Sequence, residues 1–494
     1  MQPKSAAPRI LLVFLSLTIL AAGCRPTPSR LKVPSSPHQG IKLTISCPTE
    51  ATAVLMRRYA QPWALRQGAT LAIEQRSPSK EDIRIILPAD LPSWAAAGKL
   101  APLPAAYQAR DNALGWGDLL PTFREQLIQW EGKSYGLPLV GEAPLCCYRT
   151  DLLKAPAHQA ALHKLFGRDL DGPATWEQLA QLAEYFRDHP SEGQPRPSLP
   201  PWPASDAELD RLFYTVAAGF ARRAVTSDEA HRADQEDDLF SFHYDLKTGR
   251  PRIASPGFVQ AVKILQRLGK CRPKEPADHP EETFRDGRAV LCLTDAPWIK
   301  TFQKVPALRD KVGVCRIPGA DRYFEFASGK PHATPDGNRV PYLGGSGWLA
   351  VVTRSSRHPE AAFDLLADLA GPKTSTQIFL SAAGHGGPTR TEQLYRARWD
   401  TFDVNDKQEL HLRQALQETL LHRRLKNPVL CLRTPRQAAH RAVLLSELRK
   451  ALFEGADAEQ TLRDVAEAWR KLDREQGLAE HKADYRRSLG LLAK

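Results

Sequence analysis

The segment Met1 to Cys24, MQPKSAAPRILLVFLSLTILAAGC, decides where the rest of the chain has to fold. Lys4 and Arg9 make a positive start, and Ile10 to Leu20 is a short apolar run broken by Ser16 and Thr18. Ala21, Ala22 and Gly23 then lead straight into Cys24. A run this short, closed by small residues, has the layout of a cleaved export signal rather than of a membrane span. The cysteine directly after the small residues matches a lipoprotein signal, in which the thiol is acylated and becomes the new N-terminus. The leucine usual three places before that cysteine stands one place earlier, at Leu20. An ordinary secretory leader followed by a chance cysteine is the alternative. Both readings put the body outside the cytoplasm. No second apolar run is long enough to span a membrane, so the body is expected to be soluble and tethered through Cys24.

Of the 494 residues, 42% are hydrophobic and 25% charged, an ordinary globular balance. The length allows two or three lobes with a large core. The formal charge is +12, and loss of Lys4 and Arg9 with the leader leaves the body near +10. A nucleic-acid partner is not expected, because the basic residues are spread along the chain. The densest cluster, His422-Arg423-Arg424-Leu425-Lys426, falls in helical patterning and reads as a solvated helix face. Beyond Cys24 the cysteines are Cys47, Cys146, Cys147, Cys271, Cys292, Cys315 and Cys431. Their odd number leaves at least one thiol unpaired unless it bridges to another chain, and export permits disulfides without requiring them. Cys146, Cys147, Cys292 and Cys315 lie in apolar, strand-like runs and read as buried small hydrophobes. There is no C-x-x-C pair and no His/Cys cluster at zinc spacing, so neither metal nor cofactor is expected.

Residues 25–40, rich in Pro and Ser, read as a flexible tether. Ile41 to Ile45 alternates as a strand, a helix pattern follows from about Thr52 to Gln67, and Leu71–Ile73 and Ile83–Leu87 read as further strands. Leu91–Ala97 is a short helix ended by Gly98. Strands alternating with helices predict an α/β lobe with a largely parallel sheet. Thr175-Trp176-Glu177-Gln178 is a capping box ahead of Leu179, Leu182, Ala183 and Phe186 at helical spacing. Ser255-Pro256, Pro359 and Asp457 open three more amphipathic helices. The stretches 188–206, 226–238 and 318–340 are read as surface loops or insertions.

Four segments, in order, carry a resemblance. The first is Gly98-Lys99-Leu100-Ala101-Pro102-Leu103. The second is Tyr135-Gly136-Leu137-Pro138 with Glu142, Tyr148-Arg149-Thr150-Asp151-Leu152-Leu153 and Thr175-Trp176-Glu177-Gln178. The third is Phe284-Arg285-Asp286-Gly287-Arg288-Ala289-Val290 with Asp295-Ala296-Pro297-Trp298. The fourth is Gly344-Gly345-Ser346-Gly347-Trp348-Leu349-Ala350-Val351 with Gly386-Gly387-Pro388-Thr389-Arg390. Together these resemble the family 1 extracellular solute-binding proteins of the maltose/oligosaccharide type, the ligand-capturing subunits of ABC importers. The resemblance implies an α/β, two-lobed periplasmic-binding-protein-like fold of type II, with ligand in a cleft between lobes joined by a hinge. The expected division is a signal over 1–23, a tether over 24–40, and an N-terminal lobe of 41–145 and 344–388. A C-terminal lobe of 146–343 and 389–472 and a basic extension over 473–494 complete it. Chain crossings are expected near 142–148 and 342–348.

A sugar offers hydroxyls at its rim and apolar faces, so its site needs flat aromatic platforms and hydrogen-bond acceptors. By the resemblance, Trp298 is the stacking aromatic, with a core anchor as the alternative, and Glu142 is the favoured acceptor; Asp90, just after the strand Ile83–Leu87, and Asp295, three residues before Trp298, are further candidate acceptors. Trp94 is placed at the cleft mouth, Tyr342 and Trp348 flank the glycines of the second crossing, and Arg390 either reaches the cleft or pins its loop. The expected function is non-enzymatic: a monomeric, lipid-anchored protein of the bacterial envelope captures a mono- or oligosaccharide and delivers it to a membrane permease. One rival is an exported carbohydrate-active enzyme using Glu142 and Asp295 as paired carboxylates. No G-x-S-x-G, H-E-x-x-H or Walker A sequence is present. A second rival keeps the fold as a receptor or scaffold, or as a binder of an anionic or other non-sugar solute.

Overall fold

The computed structural model describes residues 36–75, 80–109, 112–190, 197–226, 236–381, 386–396, 399–421 and 427–491. The signal 1–23, Cys24, most of the tether, parts of the 188–206 and 226–238 stretches and the cluster at 422–426 lie outside the described residues. Among the described residues no helix is long and apolar enough to cross a membrane.

The chain enters through strand β1 (Lys42–Ser46) and helix α1 (Glu50–Gln67). Thr49 starts the helix by accepting the backbone N–H of Thr52 at 3.2 Å, while the Thr52 hydroxyl accepts the N–H of Thr49. This is a reciprocal cap that satisfies two otherwise unpaired donors. Strands β2 (Thr70–Glu74) and β3 (Ile83–Ile86) follow, then the short helix α2 (Leu91–Ala96). Strand β4 (Gly136–Val140) ends the first pass through this lobe. The chain crosses over residues 141–143 into β5 (Pro144–Arg149) of the second lobe.

The second lobe continues with helices α3 (Trp176–Asp188), α4 (Asp206–Ala221) and α5 (Pro256–Gly269). It then adds β6 (Leu291–Asp295), α6 (Pro297–Gln303) and β7 (Val312–Cys315). Thr175 caps α3 as its sequence predicts, accepting the N–H of Gln178 at 3.2 Å, while the Gln178 side chain accepts from Ala174. The stretch expected as a loop over 318–340 is instead an antiparallel hairpin, β8 (Ala320–Phe324) and β9 (Pro331–Asn338). The Gly, Pro and charge content that suggested a loop belongs to its exposed ladder and its turn at 325–330. Strand β10 (Tyr342–Leu343) leads to the second crossing, residues 344–347.

That crossing returns the chain to the first lobe as β11 (Trp348–Val352), followed by α7 (Pro359–Ala370) and α8 (Pro372–Leu380). The five-stranded sheet has the order β2-β1-β3-β11-β4. Strands β1, β2 and β3 run parallel, and β11 lies antiparallel between β3 and β4. A strand added from the far side of the hinge therefore sits in the middle of the first lobe's sheet. A third passage, near 386–390, carries the chain out again to α9 (Asp406–Leu420), β12 (Val429–Leu430), α10 (Gln437–Arg449), α11 (Ala458–Gln476) and α12 (Leu478–Ser488). The second lobe's own sheet, β6-β5-β7, is antiparallel throughout. The segment expected as a basic extension, 473–494, packs into this lobe as far as residue 491 is described. Asp473, His481 and Tyr485 are buried, and the Tyr485 hydroxyl donates to Phe240 O at 3.1 Å. The inward positions of α12 are His481, Asp484, Tyr485 and Ser488, while Leu478 at its start is exposed.

Each lobe has its own apolar core, one around Leu43, Trp63 and Leu365 and one around Trp176, Phe213 and Phe258. A third core runs through the junction, joining Ile86, Leu91 and Phe123 of the first lobe to Ala143, Phe284 and Phe302 of the second. The crossings pack against one another at backbone distance. Gly141 and Gly387 exchange backbone hydrogen bonds of 3.0 and 2.7 Å. A Cβ on Gly141 would stand 2.0 Å from Pro388 O, and one on Gly387 would stand 2.1 Å from Glu142 O. Only glycine permits that approach. Gly387→Ala is therefore expected to lower stability by about 2–3 kcal/mol. Gly117→Ala, where a Cβ meets nothing within 4 Å, should stay within about 0.5 kcal/mol of wild type. Urea unfolding of the two variants checks this, and equal midpoints would refute the close-packed junction.

Candidate functional site

The junction is built from charged side chains as well as glycines. Glu142 lies in the first crossing and is 5% exposed. Its carboxylate accepts the backbone N–H of Gly344 in the second crossing and faces the Ser346 hydroxyl at 3.4 Å. Asp295 ends β6; one oxygen accepts the N–H of Ala143 at 2.9 Å and the other pairs with Arg211 of α4 at 2.9 Å. One guanidinium thus stands beside both carboxylates that flank the crossing. Burial pushes the Glu142 carboxyl up to about 7, opposed by the Gly344 N–H and by Arg211. Burial also disfavours the charge on Arg211, but Asp295, Glu142 and Glu208 around it more than offset this and hold it above its ordinary value.

From the first lobe, Asp90 reaches across and accepts a hydrogen bond from Gln437 of α10 at 2.8 Å. Burial raises its carboxyl, and Arg441 eases the effect. Asp210, next to Arg211 on α4, lies 3.8 Å from Arg441 and is pushed up to about 7 by burial. Arg433 donates across the lobes to Leu127 O and Gln129 O, both at 3.0 Å. Tyr342 stacks on Tyr214 with ring centroids 5.3 Å apart, and its buried hydroxyl has no partner. The space between the lobes here, bounded by Ala89, Asp210, Tyr214, Gly345 and Gln437, is only about 20 Å³. The lobes are closed on one another. A cavity of about 620 Å³ opens alongside, next to the first crossing at Pro144, walled by Thr215, Arg316, Tyr342, Tyr395 and Glu418.

Four residues picked out by sequence therefore meet at the junction: Asp90, Glu142, Asp295 and Tyr342. The others stand elsewhere. Half-buried Trp94 lies under the Arg84 guanidinium at 4.3 Å, with the Lys99 ammonium at 5.2 Å. Trp298, on α6, stacks on Phe302 at 6.0 Å and packs on the shared core. Trp348 pairs with Val140 in the first lobe's sheet and packs on that lobe's core. Arg390 is 1% exposed and ties down the 112–118 loop and the end of α7. It donates to Gly115 O and Asp118 at 3.0 Å, to Ala370 O at 3.1 Å and to Leu114 O. Of the two roles weighed for it, this geometry is that of the loop pin. Sequence reading passed over Asp210, Arg211, Tyr214, Gln437 and Arg441. The signal for the first two was present: adjacent opposite charges inside α4, whose remaining residues from Leu209 to Ala221 are mostly buried.

A family model described as bacterial extracellular solute-binding protein matches residues 64–260. Among solved structures, maltose-bound MalE3 of T. maritima is 16% identical, with a TM-score of 0.63 over 87% of this chain and 100% of that one. A solute-binding protein from Agrobacterium radiobacter in complex with ribitol is 18% identical, with a TM-score of 0.62 over 88% and 100%. The sugar-binding protein MalE from Xanthomonas citri is 16% identical, with a TM-score of 0.59 over 88% and 99%. The chain has the type II solute-binding-protein fold. The resemblance read from the sequence is borne out by the family match and by this architecture. No curated protein matches the chain significantly by sequence.

In this binding-protein fold the junction carboxylates make stability depend on pH. Glu142, ordinarily near 4.5, binds its proton more tightly in the folded protein. The folded state thus holds more protons than the unfolded one between about 4.5 and 7, and stability falls as pH rises through that window. Glu142→Gln removes the titration. The variant should gain on wild type by on the order of 2 kcal/mol between pH 5 and 8. Parallel pH profiles in urea melts would show that Glu142 is not buried as described.

Proposed function

We propose that the protein is a lipid-anchored, extracytoplasmic solute-binding protein that captures a neutral polyhydroxylated solute, a sugar or a polyol, between its lobes and presents it to an ABC permease. The observation that carries this reading is the chemistry of the interlobe face. Asp90, Glu142 and Asp210 bring carboxylate acceptors there, and Tyr342 brings a buried hydroxyl without a partner. Hydroxyl-rich ligands supply the donors that such acceptors need once the lobes part. Hinge opening about the glycine crossings is the motion this fold uses to admit a ligand. The relatives captured with maltose and with ribitol favour the same ligand class. Glu142 and Asp295 are both bonded to crossing backbone, which suits a hinge and a binding face better than a pair of hydrolytic carboxylates. Cys24 after its small-residue run supports the anchor.

A second reading has an observation of its own. Tyr214, Leu432 and Gln437 fill the interlobe space to about 20 Å³, as they would in a scaffold that has given up its cargo. A thermal-shift panel of mono- and oligosaccharides, polyols and anionic solutes on the chain from Arg25 separates the two, since a ligand that binds only the folded state raises the melting temperature. A shift with one sugar or polyol class, with X-ray scattering showing a change in lobe separation, supports capture. No shift across the panel supports the scaffold. With a ligand in hand, Tyr342→Phe should weaken binding about tenfold. It should leave the ligand-free protein as stable or more so, because it removes an unsatisfied buried hydroxyl. Unchanged affinity would take Tyr342 out of the site.

A further inference from the structure

On the helix that carries Gln437 and Arg441, the second lobe also holds a cluster that the proposed binding function does not use. Among the described residues one group of three close His, Cys, Asp or Glu side chains stands out: His440 of α10, Asp473 of α11 and His481 of α12, with all their facing atoms within 4.8 Å of one another. Asp473 Oδ1 lies 2.8 Å from His440 Nε2, 3.4 Å from His481 Nδ1 and 3.3 Å from the Tyr244 hydroxyl. The three side chains are 0–1% exposed.

Their hydrogen bonds do not close. His440 Nδ1 faces Arg436 O at 3.2 Å, and a carbonyl can only accept, so Nδ1 carries a proton. In the neutral ring the lone pair is then on Nε2, aimed at a carboxylate oxygen that also only accepts. A second proton on His440 would repair that one contact. It would do nothing for His481, whose two ring nitrogens have no hydrogen-bond partner, nor for Asp473 Oδ2, which has none either. Three buried polar atoms without a protein partner in one pocket are costly. A divalent cation would take up His440 Nε2, His481 Nδ1 and the free Asp473 oxygen together, leaving only His481 Nε2 without a partner, because imidazole lone pairs and carboxylate oxygens are what it binds.

We propose that His440 Nε2, His481 Nδ1 and the Asp473 carboxylate form a structural binding site for a borderline divalent cation of the zinc type. Two nitrogens and one oxygen suit zinc rather than calcium or magnesium, which prefer all-oxygen shells. The surroundings have the form of an outer shell. The His440 Nδ1–H bond to Arg436 O fixes the ring, the Tyr244 hydroxyl donates to the Asp473 carboxylate at 3.3 Å, and Trp469 donates to His440 O at 2.9 Å. The ion would staple α12 onto α10 and α11. That is a useful role in an exported chain whose seven described cysteines are all unpaired. This inference is independent of the ligand between the lobes.

The test uses the full exported chain, stripped with a chelator, desalted and titrated with zinc chloride and, separately, cobalt chloride. The expected result is one equivalent bound tightly enough to survive gel filtration, a melting temperature several degrees higher with zinc, and visible cobalt bands of the intense four-coordinate kind. His481→Gln should lose that equivalent and those bands while keeping the wild-type far-ultraviolet circular dichroism. Failure of the stripped wild-type chain to take up zinc overturns the proposal, and that measurement does not depend on how any variant folds. Retention of the full equivalent by His481→Gln overturns it as well, since the metal would then sit on other histidines.

Discussion

The contact on which the rest of the architecture depends is the one between Glu142 and the backbone N–H of Gly344. It joins the first crossing of the chain to the second, and the Gly141–Gly387 pair ties in the third passage. Three separate segments thereby pass one point at backbone distance, and each must place the next element on the correct lobe. Strand β11 can complete the first lobe's sheet between β3 and β4 only because residues 344–347 turn the chain back there. A carboxylate buried at such a point loses hydration, and a backbone N–H and the nearby Arg211 recover only part of it. The junction is therefore held at close backbone distance while carrying a carboxylate whose burial is only partly compensated.

That tension extends across the interlobe face. Asp90, Asp210 and Glu142 are all held above their ordinary values, chiefly by burial. A purely structural interface would be expected to present apolar groups there, since paired hydrophobic residues commonly match or exceed a buried ion pair in stability. Closed lobes carrying carboxylates and an unpaired tyrosine hydroxyl are in a state that opening relieves.

Much of the fold was legible from local chemistry. Thr49, Thr175 and Asp457 mark helix starts because their side chains accept N–H groups that the helix leaves free. The apolar stripe of Phe258, Val262, Leu265 and Leu268 is buried as its spacing predicts. The hairpin over 320–338 was not legible, since its exposed strands lack alternation of apolar and polar residues. The site was legible in part. The family resemblance pointed to Glu142 at the first crossing, and the glycines of 344–347 drew attention to Tyr342 beside them, because a close backbone approach restricts residue type. Trp298 and Trp348 pack on apolar cores, and a large aromatic is favoured equally by a ligand face and by a core.

The sequence by itself determined the alternation of strands and helices and the places where the main helices start. Each of these rests on neighbours in the chain or on a backbone geometry that only certain residues allow. Tertiary structure alone decided the rest. It brought Arg211 to Asp295, Gln437 to Asp90, and Asp473 to both His440 and His481. Those partners lie on different helices, at separations that carry no spacing signal. Their meeting depends on how helices pack around two lobes, which a local pattern does not encode.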